Sequence, residues 1–173
     1  MRERGPDESQ DGVGYPTRYL ELPEFDVVGF TKIVQSGGEQ LEAVRGDGRW
    51  KTLRDMAGSA GMIYGIASLD RQCPKGYYRY TVGTLAQREH SSSIGKGDEL
   101  FTIHTAESGW VAFELADFDA QYGALWSDDP YRLVKRLGFS FNRAVGLHID
   151  AFGPSFASGS NSMEFLMPVM RRT

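Results

Sequence analysis

The hydrophobic pattern of this chain spells the order strand, helix, strand, strand twice, and that duplication restricts the fold more than any single motif does. In the first copy, Leu20-Glu21-Leu22-Pro23-Glu24-Phe25-Asp26-Val27-Val28 and its continuation to Val34 are rich in β-branched and aromatic residues, predicting one long strand from Tyr19. After Gly37-Gly38, Trp50, Leu53, Met56 and Ala57 recur at helical spacing, which predicts a helix over about Leu41 to Ala57, stopped by Gly58 and Gly61. Strands at Met62 to Leu69 and Tyr77 to Ala86 follow, joined by the turn-rich Asp70 to Gly76. The second copy has strand-like Leu100 to Thr105 and Trp110 to Leu115. Its helix is capped by Asp117 or Asp119, kinks or restarts at Asp129-Pro130 and ends near Gly138, and strands at Val145 to Phe152 and Met163 to Met170 complete it. Equivalent elements are separated by roughly 85 residues, a repeat at the level of pattern. The expected class is therefore α+β: tandem duplicated units, about 19–87 and 100–170, form one antiparallel-rich sheet with two helices on one face and a ligand groove on the other.

Residues 1–14 are polar, contain Gly and Pro, and read as a disordered tail. Residues 88–99, with Ser91-Ser92-Ser93, Gly95 and Gly97, read as the linker between the repeats. A net charge of −4 with scattered Lys and Arg gives no footprint for direct nucleic-acid or membrane binding. The single Cys73 excludes an internal disulfide, and no apolar run has the length of a membrane span or the layout of a signal peptide, so the expected location is the cytoplasm. Eight Tyr, ten Phe and three Trp are a large ring inventory, suited to an ordinary core or to binding flat apolar molecules.

One carboxylate interrupts the apolar run Met163-Glu164-Phe165-Leu166-Met167-Pro168-Val169-Met170. Strand alternation sends Met163, Phe165, Met167 and Val169 under the helices and turns Glu164 and Leu166 to the open face. The same rule buries Val111, Phe113 and Leu115 and leaves Trp110 opposite, so Glu164 and Trp110 are expected to line one groove. Tyr64, Tyr78 and Tyr80 are candidate ring walls whose face the pattern leaves open. A carboxylate among rings in a partly dry groove attracts a flat cation, and its raised pKa also suits acid or base work beside a tyrosine hydroxyl. Taken alone, a glutamate on a half-exposed strand is more often a solvated side chain.

The stretches Leu22-Pro23-Glu24-Phe25-Asp26-Val27-Val28-Gly29, Ser108-Gly109-Trp110-Val111-Ala112-Phe113 and Met163-Glu164-Phe165-Leu166-Met167-Pro168-Val169 together resemble the GyrI-like small-molecule-binding family, which includes effector-binding domains of multidrug-sensing transcription activators. The resemblance runs from about Tyr19 to Met170 on short motifs. It implies a tandem-repeat fold with a ligand groove between halves, and a last-strand glutamate that Glu164 matches. Two activities are implied. The first is binding of lipophilic aromatic, often cationic compounds by Glu164, Trp110, Tyr64, Tyr78, Tyr80 and Leu166. The second is hydrolysis of cyclopropane-bearing DNA-alkylating natural products, with Glu164 and Tyr78 as catalytic residues. Leu147-His148-Ile149-Asp150-Ala151-Phe152-Gly153-Pro154 departs from the family's common pattern. No helix-turn-helix precedes the domain, so a regulatory role would need a separate regulator protein as partner.

No cofactor or metal is expected. Gly153-Pro154-Ser155-Phe156-Ala157 lacks the second glycine of a nucleophile elbow, Gly95-Lys96-Gly97 lacks the spacing of a phosphate loop, and His90, His104 and His148 lack metal-ligand spacing. Haem ligation, found in a branch of this fold, would have only His104, His148 or Cys73-Pro74 to draw on.

Overall fold

A computed structural model describes residues 13–69, 71–86 and 100–172. The linker expected at 88–99 and most of the expected tail lie outside them. Val13 is described, and it is buried in the core.

The long first strand is two strands, β1 (Thr17–Leu22) and β2 (Phe25–Val34), because Pro23 has no N–H to donate to a ladder. The first helix is likewise a pair, α1 (Gly37–Gly46) and α2 (Arg49–Ala57), separated where Gly48 takes a left-handed φ of 88°. β3 (Ile63–Ser68) and β4 (Tyr78–Leu85) complete the first repeat. In the second repeat β5 (Phe101–Thr105) and β6 (Ser108–Leu115) lead into α3 (Phe118–Ser127) and α4 (Pro130–Arg136). The caps are those the composition suggests. Asp117 accepts from the N–H groups of Asp119 and Ala120, and Asp129 accepts from Tyr131 and Arg132 with Pro130 opening α4. A short strand, β7 (Phe139–Phe141), precedes β8 (Leu147–Phe152) and β9 (Met163–Arg171); its few half-buried residues carry no periodicity long enough to read.

The strands form one nine-stranded antiparallel sheet in the order β1-β6-β9-β8-β3-β4-β2-β5, with β7 on β9. The order is symmetric about the β8–β3 ladder. The outermost strands are exchanged: β1, which precedes β2, pairs with β6 of the second repeat, while β5, which precedes β6, pairs with β2 of the first. The helices share a face. Leu41, Val44, Leu53, Met56, Leu125, Leu133 and Val134 pack with Met163, Phe165, Met167 and Val169 of β9 and Val111, Phe113 and Leu115 of β6, as alternation predicts. The opposite face buries a second cluster around Val27, Ile66, Trp110, Ile149 and Leu166. No helix of the described residues is long and apolar enough to cross a membrane.

Candidate functional site

The β8–β3 ladder runs from Ile63↔Phe152 to Ser68↔Leu147, and its middle pairs are Ile66↔Ile149 on one face and Gly65↔Asp150 on the other. Gly65 has no side chain to fill the space opposite Asp150. Tyr80, on β4 beside β3, lays its ring across that gap, and a Cβ on Gly65 would overlap the Tyr80 hydroxyl. Gly37 at the start of α1 clears the other side of the ring, where a Cβ would lie 2.7 Å from it. Tyr80 thereby donates to Asp150 Oδ2 at 2.6 Å. Tyr122, from α3 of the other repeat, donates to Asp150 Oδ1 at 2.9 Å and Oδ2 at 3.0 Å.

Above this acid, on the helix side of the sheet, lies a cavity of about 1100 Å³ between the two helix pairs. Phe118, Tyr122 and Trp126 of α3 form one wall, the start of α1 with Tyr78 another, and exposed Leu69 and Tyr131 stand at the mouth. Tyr78 meets Tyr80 edge-on with centroids 6.4 Å apart, and its hydroxyl accepts the Gly37 N–H. His148, on the same side of β8 as Asp150, sits 5.1 Å from the Trp126 ring and 5.2 Å from Phe165. Its buried Nδ1 has no partner among the described residues.

Burial sets the electrostatics. Asp150 is 2 % exposed, and desolvation pushes its carboxyl up to about 7 although the hydrogen bonds from Tyr80 and Tyr122 pull the other way. Both tyrosines are held well above their ordinary range by burial and by the nearby carboxylate, so they remain protonated donors. Burial pushes His148 down to about 4, leaving a neutral imidazole. Near neutrality the cavity floor therefore carries an acid poised between its two forms beside an uncharged ring. No group of three or more His, Cys, Asp or Glu among the described residues is placed to hold a metal ion.

Of the residues singled out by sequence, Tyr78 and Tyr80 line this cavity. The others do not. Glu164 points to the opposite face, where Arg18 of β1 grips it through Nε at 2.9 Å and Nη2 at 2.8 Å, and it remains about one-third exposed. Trp110 is fully buried in the second cluster, with Leu166 in the same cluster and Tyr64 packed against it. Trp110 pairs across β9 with Pro168, whereas Glu164 faces Glu114, so the two do not meet in a groove. The face assignment from alternation was sound; the cavity is on the other face, roofed by the helices. Asp150, Tyr122, Trp126 and His148 also line the cavity and are not among the site residues singled out by sequence. Asp150, like Glu164, is an acid within an apolar strand, Leu147 to Phe152, and that placement is its signal in the sequence.

No family model matches the chain, and no curated protein matches its sequence. Solved structures do. One described as SAV2435 bound to tetraphenylphosphonium superposes with a TM-score of 0.68 at 14% identity, over 89% of this chain and 93% of that one. A protein named for bacterial transcription regulation from Staphylococcus aureus MU50 gives 0.63 at 15%, over 90% and 99%. The EcmrR C-terminal domain gives 0.56 at 13%, over 91% and 99%. The chain has the GyrI-like fold. At these identities the likeness establishes the GyrI-like architecture, and the chemistry of the cavity has to be argued from its own residues.

Proposed function

We propose that this protein binds lipophilic aromatic cations in the cavity between its helix pairs, as an effector sensor or as a sequestering protein, with Asp150 as the charge partner. The observation that carries this is a buried carboxylate whose hydrogen-bond partners are neutral tyrosines, set among rings. Such a site stabilises a cation twice, through the carboxylate in a medium of low polarity and through the faces of Tyr78, Tyr122 and Trp126. The SAV2435 structure with its phosphonium ligand supports the same chemical class. A single cysteine, which can form no internal disulfide, suits a cytoplasmic setting.

The test is titration with tetraphenylphosphonium and with neutral triphenylphosphine oxide at pH 8, followed by quenching of tryptophan emission. Asp150→Asn should weaken the phosphonium by about tenfold to a hundredfold, the scale of a charge-assisted contact, and the neutral oxide far less. Glu164→Gln should leave both unchanged. Equal losses for the two compounds in Asp150→Asn, or a larger loss in Glu164→Gln, refute the assignment.

A hydrolytic use of the same cavity has one observation in its favour: Asp150 and His148 are alternate residues on one side of β8, one titrating near neutrality and the other uncharged. Asp150 would take a proton from a water whose oxygen bonds a strained-ring carbon as that carbon's ring bond breaks, and the Tyr78 hydroxyl in the same lining would protonate the substrate atom that receives the bond's electron pair. Ring-opened product formed by the wild type and not by Asp150→Asn would decide for turnover.

A further inference from the structure

The acid at the cavity floor is not the only charge in the lining. Among the described lining residues the formally charged side chains are Asp150 on the floor and Lys135 and Arg143 nearer the rim, so the lining carries two positive charges against one negative, and that one is partly neutralised near pH 7. Lys135 on the last turn of α4 and Arg143 in the turn before β8 are exposed, and neither takes part in an ion pair among the described residues. On the wall nearby, α1 begins at Gly37 with the Ser36 side chain making no cap hydrogen bond, so the partial positive end of a ten-residue helix adds to the same field. A purely cationic ligand would be attracted at the floor and repelled at the entrance. The cavity is polarised, negative inside and positive outside.

Resting on the binding function proposed above, we infer that the ligand is amphoteric: a flat aromatic body with a cationic or donor pole directed to Asp150 and a carboxylate or comparable anionic pole directed to Lys135 and Arg143. The apolar body is met by the rings of Phe118, Trp126 and Tyr131 in the same lining. Each pole then meets a side chain of opposite sign without a new buried unpaired charge, since the rim cations stay in contact with water.

Rhodamine 123 and rhodamine 110 make a matched pair of probes. They share one tricyclic body and differ by a methyl ester in the first and a free carboxylate in the second, so one is a cation and the other a zwitterion. At pH 8, rhodamine 110 should bind the wild-type protein about twofold to fivefold tighter, the scale of one partly exposed charge pair. The double substitution Lys135→Met/Arg143→Met should weaken rhodamine 110 and strengthen rhodamine 123, moving the two affinities in opposite directions. The charge reversal Lys135→Glu/Arg143→Glu should make the cation the preferred dye. Equal binding of the two dyes by the wild type, or a preference unchanged in the rim variants, overturns the amphoteric ligand. The underlying reading is tested separately by Asp150→Asn: loss of both dyes upholds it, and no change in either refutes it whatever the rim variants do. Failure of both dyes to bind wild-type protein that still binds tetraphenylphosphonium overturns the amphoteric ligand alone, and failure of all three removes both inferences. Circular dichroism and melting of each variant show that its fold is intact.

Discussion

Two buried titrating groups on one strand face should hide each other's effect on stability. Asp150 is raised from 3.8 to about 7, so between those pH values the folded chain holds a proton that the unfolded chain has released. Stability from this group is complete below pH 4 and is lost as pH rises to 7, by about 4 kcal/mol in all. His148 is lowered from 6.5 to about 4, so over that range the unfolded chain holds the extra proton. Its contribution is present above pH 6.5 and is lost as pH falls to 4, by about 3 kcal/mol. From pH 4 to 6.5 the two slopes are opposite and each is about 1.4 kcal/mol per pH unit, so they cancel. The perturbation is to remove one group at a time and measure unfolding in urea at fixed ionic strength across this range, taking each variant minus wild type so that the other carboxylates drop out. Asp150→Asn should gain stability relative to wild type as pH rises, His148→Gln should lose it with a similar slope, and the double substitution should run parallel to wild type up to pH 6.5. A flat difference for Asp150→Asn would mean that Asp150 is already ionised in the folded protein, and the account of the cavity floor as a poised acid would fall with it.

Two further outcomes follow from the same contacts. Gly65→Ala places a methyl group where the Tyr80 hydroxyl lies, so Tyr80 must leave Asp150; the expected cost is about 1–3 kcal/mol in urea denaturation, with a larger loss of phosphonium affinity at pH 7 than at pH 9 because Asp150 loses a donor that favours its ionised form. In the wild type, phosphonium affinity should be constant above pH 7 and fall by about tenfold per unit below it as Asp150 takes up its proton; a profile flat down to pH 5 refutes Asp150 as the charge partner.

What the sequence made legible is what period and punctuation encode. The repeat, the caps at Asp117 and Asp129, and the inward set Met163, Phe165, Met167 and Val169 are local consequences of alternation and capping, and each appears where local rules put it. The breaks at Pro23 and Gly48 were also visible as residues, but a continuous apolar pattern on both sides outweighed them. The site was less legible because it depends on which face the cavity occupies. Alternation separates Glu164 from Phe165 without saying which side stays open, and the space between the two helix pairs is a tertiary fact. Tyr80 could be read as facing Asp150 only once β4, β3 and β8 were known to be neighbours in that register.

The duplication explains why a single carboxylate stands at the centre of this molecule. A two-fold relation between repeats offset by roughly 85 residues brings like positions, Gly65 and Asp150, face to face at the middle of the β3–β8 ladder. With an acid in both copies at this position, two buried carboxylates would stand across one ladder and one would be forced to remain protonated. Had both copies kept glycine, the floor would have no charge. Gly65 against Asp150 breaks the symmetry in the one way that yields a lone acid with room for a donor from each repeat, Tyr80 from the first and Tyr122 from the second. The central ladder is thus the place where repeats of a common plan had to diverge for the cavity to acquire a polarity, and the pair Gly65 and Asp150 carries that divergence.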